Sequence, residues 1–265
     1  MPAADAALLT EPSPGVRLLT LNRPELRNAM TEELTAAWTA ALDAVAAASG
    51  TRVLVITGAG SSFCSGADLS WFDEGADEIT PVALRERMLP FYRSWLSIRR
   101  LEVPTIAAVN GAAIGAGLCL ALACDIRYAA AGASMGLPFV HLGMHAGMGG
   151  TYLLPEAIGT ARARDLLLTG RIVDAEEALG LGLVSRVIEP DAFRDEVLAA
   201  AGAIAGTAPI ASRLTKLALA DGGHADLETC LQWEALAQPM TLATGDLQEG
   251  IRAAREKRRP SFEGR

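Results

Sequence analysis

Cysteine and histidine are both scarce, and neither clusters. The four cysteines, Cys64, Cys119, Cys124 and Cys230, form no C-x-x-C pair and stand near no group of the three histidines, so the sequence offers neither a zinc site nor a disulfide framework. Reduced, mostly buried thiols are expected. Excess positive charge is missing too: 23 Lys and Arg stand against 31 Asp and Glu, for a formal net charge of −8 and a pI near 5.0. Broad binding to nucleic acid or to an anionic membrane needs dispersed cations, and this composition excludes it. A local basic cluster could still hold a small anion. Met1 to Gly15 carries Asp5 and Glu11, with no basic n-region and no long apolar stretch; no secretory signal is read there, and a cytoplasmic location is expected. An unbroken apolar run is also lacking. Val103 to Cys124 has no charged residue and is long enough for a bilayer, but Pro104, Asn110, Gly111, Gly115 and Gly117 interrupt it. A strand, a turn and a buried helix explain those interruptions better than a membrane span.

What is present is core material. The 265 residues are 51% hydrophobic, enough for one large core or for a core with a smaller appended unit. Val16 to Leu21 alternates loosely and stops at Asn22-Arg23-Pro24, which reads as a strand ended by a turn. Thr31 is a natural N-cap, with Glu32 and Glu33 in the first turn and Leu34, Trp38, Leu42 and Val45 at helical spacing behind it. Val53 to Thr57 is a short β-branched run closed by Gly58-Ala59-Gly60, and Thr105 to Val109 repeats that pattern ahead of the apolar run Leu118 to Ala123. Strands alternating with helices make this an α/β protein. From Asp191 onward the pattern turns helical, over 191–205, 208–220, 226–236 and 247–257. The expected organisation is a core over 1–204 followed by a helical region over 205–265.

Two glycine-bounded turns carry the chemical signal. Gly115-Ala116-Gly117 joins a strand to an apolar helix, as a dinucleotide-binding turn would. However, Leu120 takes the third-glycine place and the next acid, Asp125, is 8 residues beyond Gly117, where that motif wants about 20. What remains is a helix start with free amides and a dipole that favours an anion. The second turn, Phe63-Cys64-Ser65-Gly66-Ala67-Asp68-Leu69, follows the Val53 strand. Two such turns can each aim one amide at a single oxygen, the geometry of an oxyanion hole, although tight turns without function are the commoner outcome.

Those residues resemble the enoyl-CoA hydratase/isomerase, or crotonase, superfamily. Asn22-Arg23-Pro24-Glu25-Leu26-Arg27-Asn28-Ala29-Met30 is similar to its opening motif, and Phe63 to Leu69 to its first oxyanion loop. Pro104 to Tyr128, Gly147-Met148-Gly149-Gly150-Thr151, Leu168-Thr169-Gly170-Arg171, Gly182-Leu183-Val184 and the closing Glu256-Lys257-Arg258 with Pro260 and Phe262 continue the series in family order. The resemblance implies a crotonase-like (ClpP/crotonase) spiral of ββα units with a C-terminal α-helical oligomerisation region, assembling as a homotrimer or a dimer of trimers. It also implies an acyl-CoA thioester substrate, with coenzyme A arriving as part of that substrate and no separate cofactor or metal. The oxyanion amides would be those of Ala67 and Ala116, and CoA would lie along Arg27, Ala29, Ala67, Asp68, Leu69 and Lys257.

The sequence departs from the family at its two glutamates. Those positions are Cys119 and Phe139. Adding water to an enoyl thioester needs a base for the water and an acid for the α-carbon, and phenylalanine is neither, so classical hydration is disfavoured. His145, in the glycine-rich turn Gly143 to Gly150, is a candidate proton carrier, with a solvent-facing turn histidine as the alternative. Cys119 is a second candidate, since a helix start lowers a thiol pKa while apolar burial raises it. His141 reads as structural, and Asp73, Glu74 and Glu156 as solvated carboxylates. Trp71, Phe72, Met88, Phe91 and Trp95 suit an acyl channel or core packing equally. Isomerase, hydrolase, decarboxylase and lyase chemistry all stay open. A non-catalytic acyl-CoA-binding protein is the alternative function, and a helical interaction module would require that no CoA binds.

Overall fold

The computed structural model describes residues 5–68, 80–220 and 226–265. The chain opens with an antiparallel pair, β1 (Ala7–Ser13) and β2 (Val16–Leu21), followed by a 3-10 turn at Pro24–Leu26 and helix α1 (Glu32–Ala47). Thr31 caps α1, its hydroxyl accepting the Leu34 N–H at 3.1 Å. A long-strand, short-strand, helix unit then repeats. The first is β3 (Val53–Gly58), β4 (Ser62–Cys64) and α2 (Pro81–Trp95). The second is β5 (Thr105–Val109), β6 (Ala112–Ile114) and α3 (Ala116–Leu122). The third is β7 (Ile126–Ala130), β8 (Ser134–Gly136) and α4 (Gly150–Ile158). Helix α5 (Thr160–Thr169), β9 (Ile172–Asp174), α6 (Ala175–Leu181) and β10 (Arg186–Ile188) complete the strands. Helices α7 (Pro190–Ala205), α8 (Pro209–Leu219), α9 (Leu227–Leu242) and α10 (Gly245–Glu256) follow.

The repeat winds the chain into a spiral. Long strands build one sheet in the order β1-β2-β3-β5-β7-β10, and short ones a second in the order β4-β6-β8-β9. The expected α/β spiral of ββα units is the observed fold. Both faces of the long sheet are covered, which is why its strands read as continuous apolar runs. Side chains alternate across it: Leu54, Ile56, Ala107 and Val109 enter the core shared with α1 and α3, whereas Val53, Val55, Ile106 and Ala108 meet Phe193, Val197 and Ala201 of α7. No single helix among the described residues is long and apolar enough to cross a membrane.

Two polar ties hold the spiral to its neighbours. Asp125 accepts the Thr105 N–H and hydroxyl at 2.7 and 2.8 Å and pairs with Lys216 of α8 at 2.9 Å. Trp95 stacks on Trp38 with ring centroids 4.9 Å apart and donates its indole N–H to Thr35 Oγ1 at 3.0 Å. Trp95 is therefore a core residue of the α1–α2 contact rather than a channel wall. Helix α9 runs past the expected end at 236 to Leu242, with Pro239 inside its last turn.

Candidate active site

Strands β4 and β6 lie side by side and parallel, with Ser62 opposite Ala112 and Cys64 opposite Ala113. Each runs into a glycine whose φ an L side chain resists: Gly66 at +103° and Gly115 at +56°. The two turns abut. A Cβ on Gly66 would stand 2.8 Å from the Ile114 carbonyl oxygen and 3.3 Å from the Ala116 nitrogen. One on Gly117 would stand 2.1 Å from the Cys64 carbonyl oxygen, so α3 starts directly against the end of β4. Ala116 opens α3, and the first return bond runs from Cys119 N–H to Gly115 O at 3.1 Å. Its amide is one of the helix-start donors with no partner inside the helix. Ala67 faces Met30 in an isolated bridge, but the Met30 N–H goes to Gly66 O at 2.8 Å.

The opening motif is fastened to the first of these turns. Asn28 is fully buried with φ of 55°. Its side-chain oxygen accepts the Arg23 N–H at 2.9 Å, while its amide donates to Ala59 O at 3.0 Å and Ser62 O at 2.8 Å. Ser65 N–H reaches Arg27 O at 3.0 Å. Arg23 is engaged by Glu33 at 2.6 Å, which leaves Arg27 as the exposed cation of this segment.

A cavity of about 480 Å³ opens between these parts. Ala67 and Ala116 both line it, together with Arg27, Ala29 and Asp68. Met88, Phe91 and Tyr92 come from α2, and Phe139 and Met148 close the other side. Leu69, Trp71, Phe72, Asp73 and Glu74 lie outside the described residues. Lys257, the C-cap of α10 with φ of 52°, is exposed and apart from the cavity lining. Its neighbour Arg258 is held by Glu249 and Glu256.

The two proton-carrier candidates are not brought to this cavity. Cys119 is fully buried, and burial pushes its thiol up to about 12. Desolvation of the charged form outweighs the helix start, so the thiolate reading gives way to a packed thiol directed at Gly147 O, 3.6 Å away. His145 is exposed and is not among the described residues that line the cavity. His141 contacts Thr169 O through Nε2 at 2.8 Å, a structural tie between the 3-10 turn Pro138–Leu142 and the end of α5. Glu156 pairs with Arg99 at 3.3 Å.

Tyr92 is the cavity residue that sequence reading passed over. Its phenol is half-buried, and burial holds it above the ordinary tyrosine range while a hydrogen bond from the Met148 amide acts the other way. The hydroxyl contacts Met88 Sδ at 3.7 Å. A signal existed: Met88, Phe91, Tyr92 and Trp95 fall at i, i+3, i+4 and i+7, one face of a helix.

Comparison with known proteins agrees over nearly the whole chain. The family model described as enoyl-CoA hydratase/isomerase matches residues 11–265. An (E)-benzylidenesuccinyl-CoA hydratase of Thauera aromatica is 40% identical over 96% of this chain and 98% of its own. A putative enoyl-CoA hydratase/isomerase of Bacillus subtilis, YngF, is 37% identical over 98% and 99%. The crystal structure of an enoyl-CoA hydratase from Bacillus anthracis, 36% identical, covers 98% of this chain and 100% of its own with a TM-score of 0.92.

Proposed function

Because the chain belongs to the enoyl-CoA hydratase/isomerase family, we propose that its cavity binds an acyl-CoA thioester with the carbonyl oxygen between the Ala67 and Ala116 amides. The carrying observation is that the two turns abut and open on one cavity. Negative charge built on the thioester oxygen, as enolate or tetrahedral oxyanion, is then met by fixed donors that need no reorganisation. The α3 dipole adds to them. CoA lies along Arg27, Ala29 and Asp68, with Lys257 reaching it from a neighbouring copy in a homotrimer or a dimer of trimers.

The two-carboxylate route to hydration is disfavoured. Cys119 is sealed in the core and Phe139 has no proton to exchange. Those same facts favour a second reading, a non-catalytic acyl-CoA-binding protein. Calorimetry with butyryl-CoA tests binding. A panel of enoyl-, 3-oxoacyl- and branched acyl-CoA thioesters in heavy water, followed by mass spectrometry, tests turnover. Ala116→Pro removes one amide at the first helical position, where proline is tolerated. The enzyme reading expects that variant to bind butyryl-CoA and lose roughly 10²–10³ in rate. Tight binding with every thioester left intact and free of deuterium supports the carrier.

A further inference from the structure

An enolate held by two amides needs a proton at its α-carbon before product can leave, and neither Cys119 nor Phe139 supplies it. Tyr92 lines the same cavity as the two amides. A Cβ on Gly147 would come within 2.5 Å of the Tyr92 hydroxyl oxygen, and the carbonyl of that same glycine receives Cys119 Sγ at 3.6 Å. The phenol therefore sits beside the position where the family resemblance puts a carboxylate. Glycine at 147 is what lets it approach so closely. The Met148 amide offsets part of the effect of burial, and the O–H donates only to a thioether, a weak acceptor, at 3.7 Å. Among the described residues, the carboxyl groups on the cavity wall, Glu25 and Asp68, come from the turns on the Arg27 side rather than from α2.

A phenol kept neutral by burial gives a proton and does not take one. It suits a reaction that makes the enolate without removing a proton. Loss of a carboxylate as CO2 does so with no co-reactant. The wall around Tyr92 is apolar, with Met88, Phe91, Phe139 and Met148, and it penalises a full carboxylate charge.

We propose that Tyr92 is the proton donor to the α-carbon, and that the substrate class this selects is a 2-carboxyacyl-CoA thioester. The inference rests on the acyl-CoA reading above. In the step, the bond between the α-carbon and the carboxylate breaks and CO2 departs. The electron pair passes into the thioester, whose oxygen is held by the Ala67 and Ala116 amides. The Tyr92 O–H proton then forms the new α C–H bond, and the phenolate regains a proton from solvent.

The full-length chain and Tyr92→Phe are each incubated with malonyl-CoA and methylmalonyl-CoA in heavy water, following the mass lost as CO2 and the deuterium gained, while acetyl-CoA binding is measured by calorimetry. The parent is expected to release CO2 and leave one deuterium at the α-carbon. Tyr92→Phe is expected to bind acetyl-CoA as the parent does and to turn over at least about 10²-fold more slowly. A parent that binds acetyl-CoA but leaves both thioesters intact overturns the Tyr92 assignment alone, as does a Tyr92→Phe protein that reacts at the parental rate. A parent that binds no thioester overturns the acyl-CoA reading and this one with it. The parent's pH profile needs no variant: the rate should hold through neutrality and fall only on the alkaline side, near or above about 10. A fall centred near neutral pH would overturn the phenol as donor.

Discussion

Helices α3 and α9 are both rich in apolar residues, yet they end in opposite environments. All seven residues of α3 are buried, whereas none of the sixteen in α9 is; Leu227, Leu236 and Met240 are 74, 72 and 61% exposed. Helix α3 is short, begins against the Cys64 carbonyl and is enclosed by strands on one side and α4 on the other. Helix α9 packs on α8 and α10, at the edge of the molecule. A buried start fixes the Ala116 amide in space, while an apolar face left open is the mark of a surface that another body covers. In the proposed trimer that body is a second copy of the chain.

Breaking α3 should have the largest effect. Gly117→Val puts side-chain atoms where the Cys64 carbonyl oxygen lies 2.1 Å from a Cβ. We expect a stability loss at the upper end of the roughly 1–3 kcal/mol typical of overpacking, or beyond it, read as a lowered urea midpoint with loss of thioester binding. A variant as stable as the parent would show that α3 has room to move. Breaking α9 should leave the fold intact. Leu236→Asp removes an apolar contact that contributes about 1.5–3 kcal/mol when a leucine is fully covered, and it adds a charge there. Light scattering should show a smaller particle with unchanged circular dichroism; an unchanged mass would place the interface elsewhere.

The smallest effect concerns the thiols and appears only in base. Cys64, Cys119 and Cys124 are raised by burial from 9.0 to about 12. The native chain keeps three protons that the unfolded chain releases, so stability is undiminished below pH 9.0 and falls as pH rises toward about 12. Cys119→Ala should flatten that slope in denaturant titrations. At pH 8 a thiol reagent should label Cys230 of α9 on the dissociated Leu236→Asp chain and spare Cys119; modification of Cys119 without unfolding would count against its sealed position.

Much of this was legible in particular residues. The Thr31 cap, the β-branched run from Val53 and the run Thr105 to Val109 became α1, β3 and β5 almost to the residue, because local capping and alternation are short-range effects. Strands β4, β6, β8 and β9 are three residues each, too short for any period to show. The glycines marked both turns, and Arg27, Ala29 and Asp68 were singled out with them and reach the same cavity. For His145 and Cys119 the sequence left a proton-carrying and a structural reading both open; one stands exposed and the other lies in the core.

The sequence by itself determined the α/β class and the two glycine-bounded turns, since these are matters of covalent identity and local conformation. Only the tertiary structure decided that Gly66 meets Ala116, that the Cys119 thiol is sealed, and that the Tyr92 hydroxyl stands beside Gly147. Each of those depends on segments far apart in the chain being packed together, and burial, approach and proton affinity are properties of that packing.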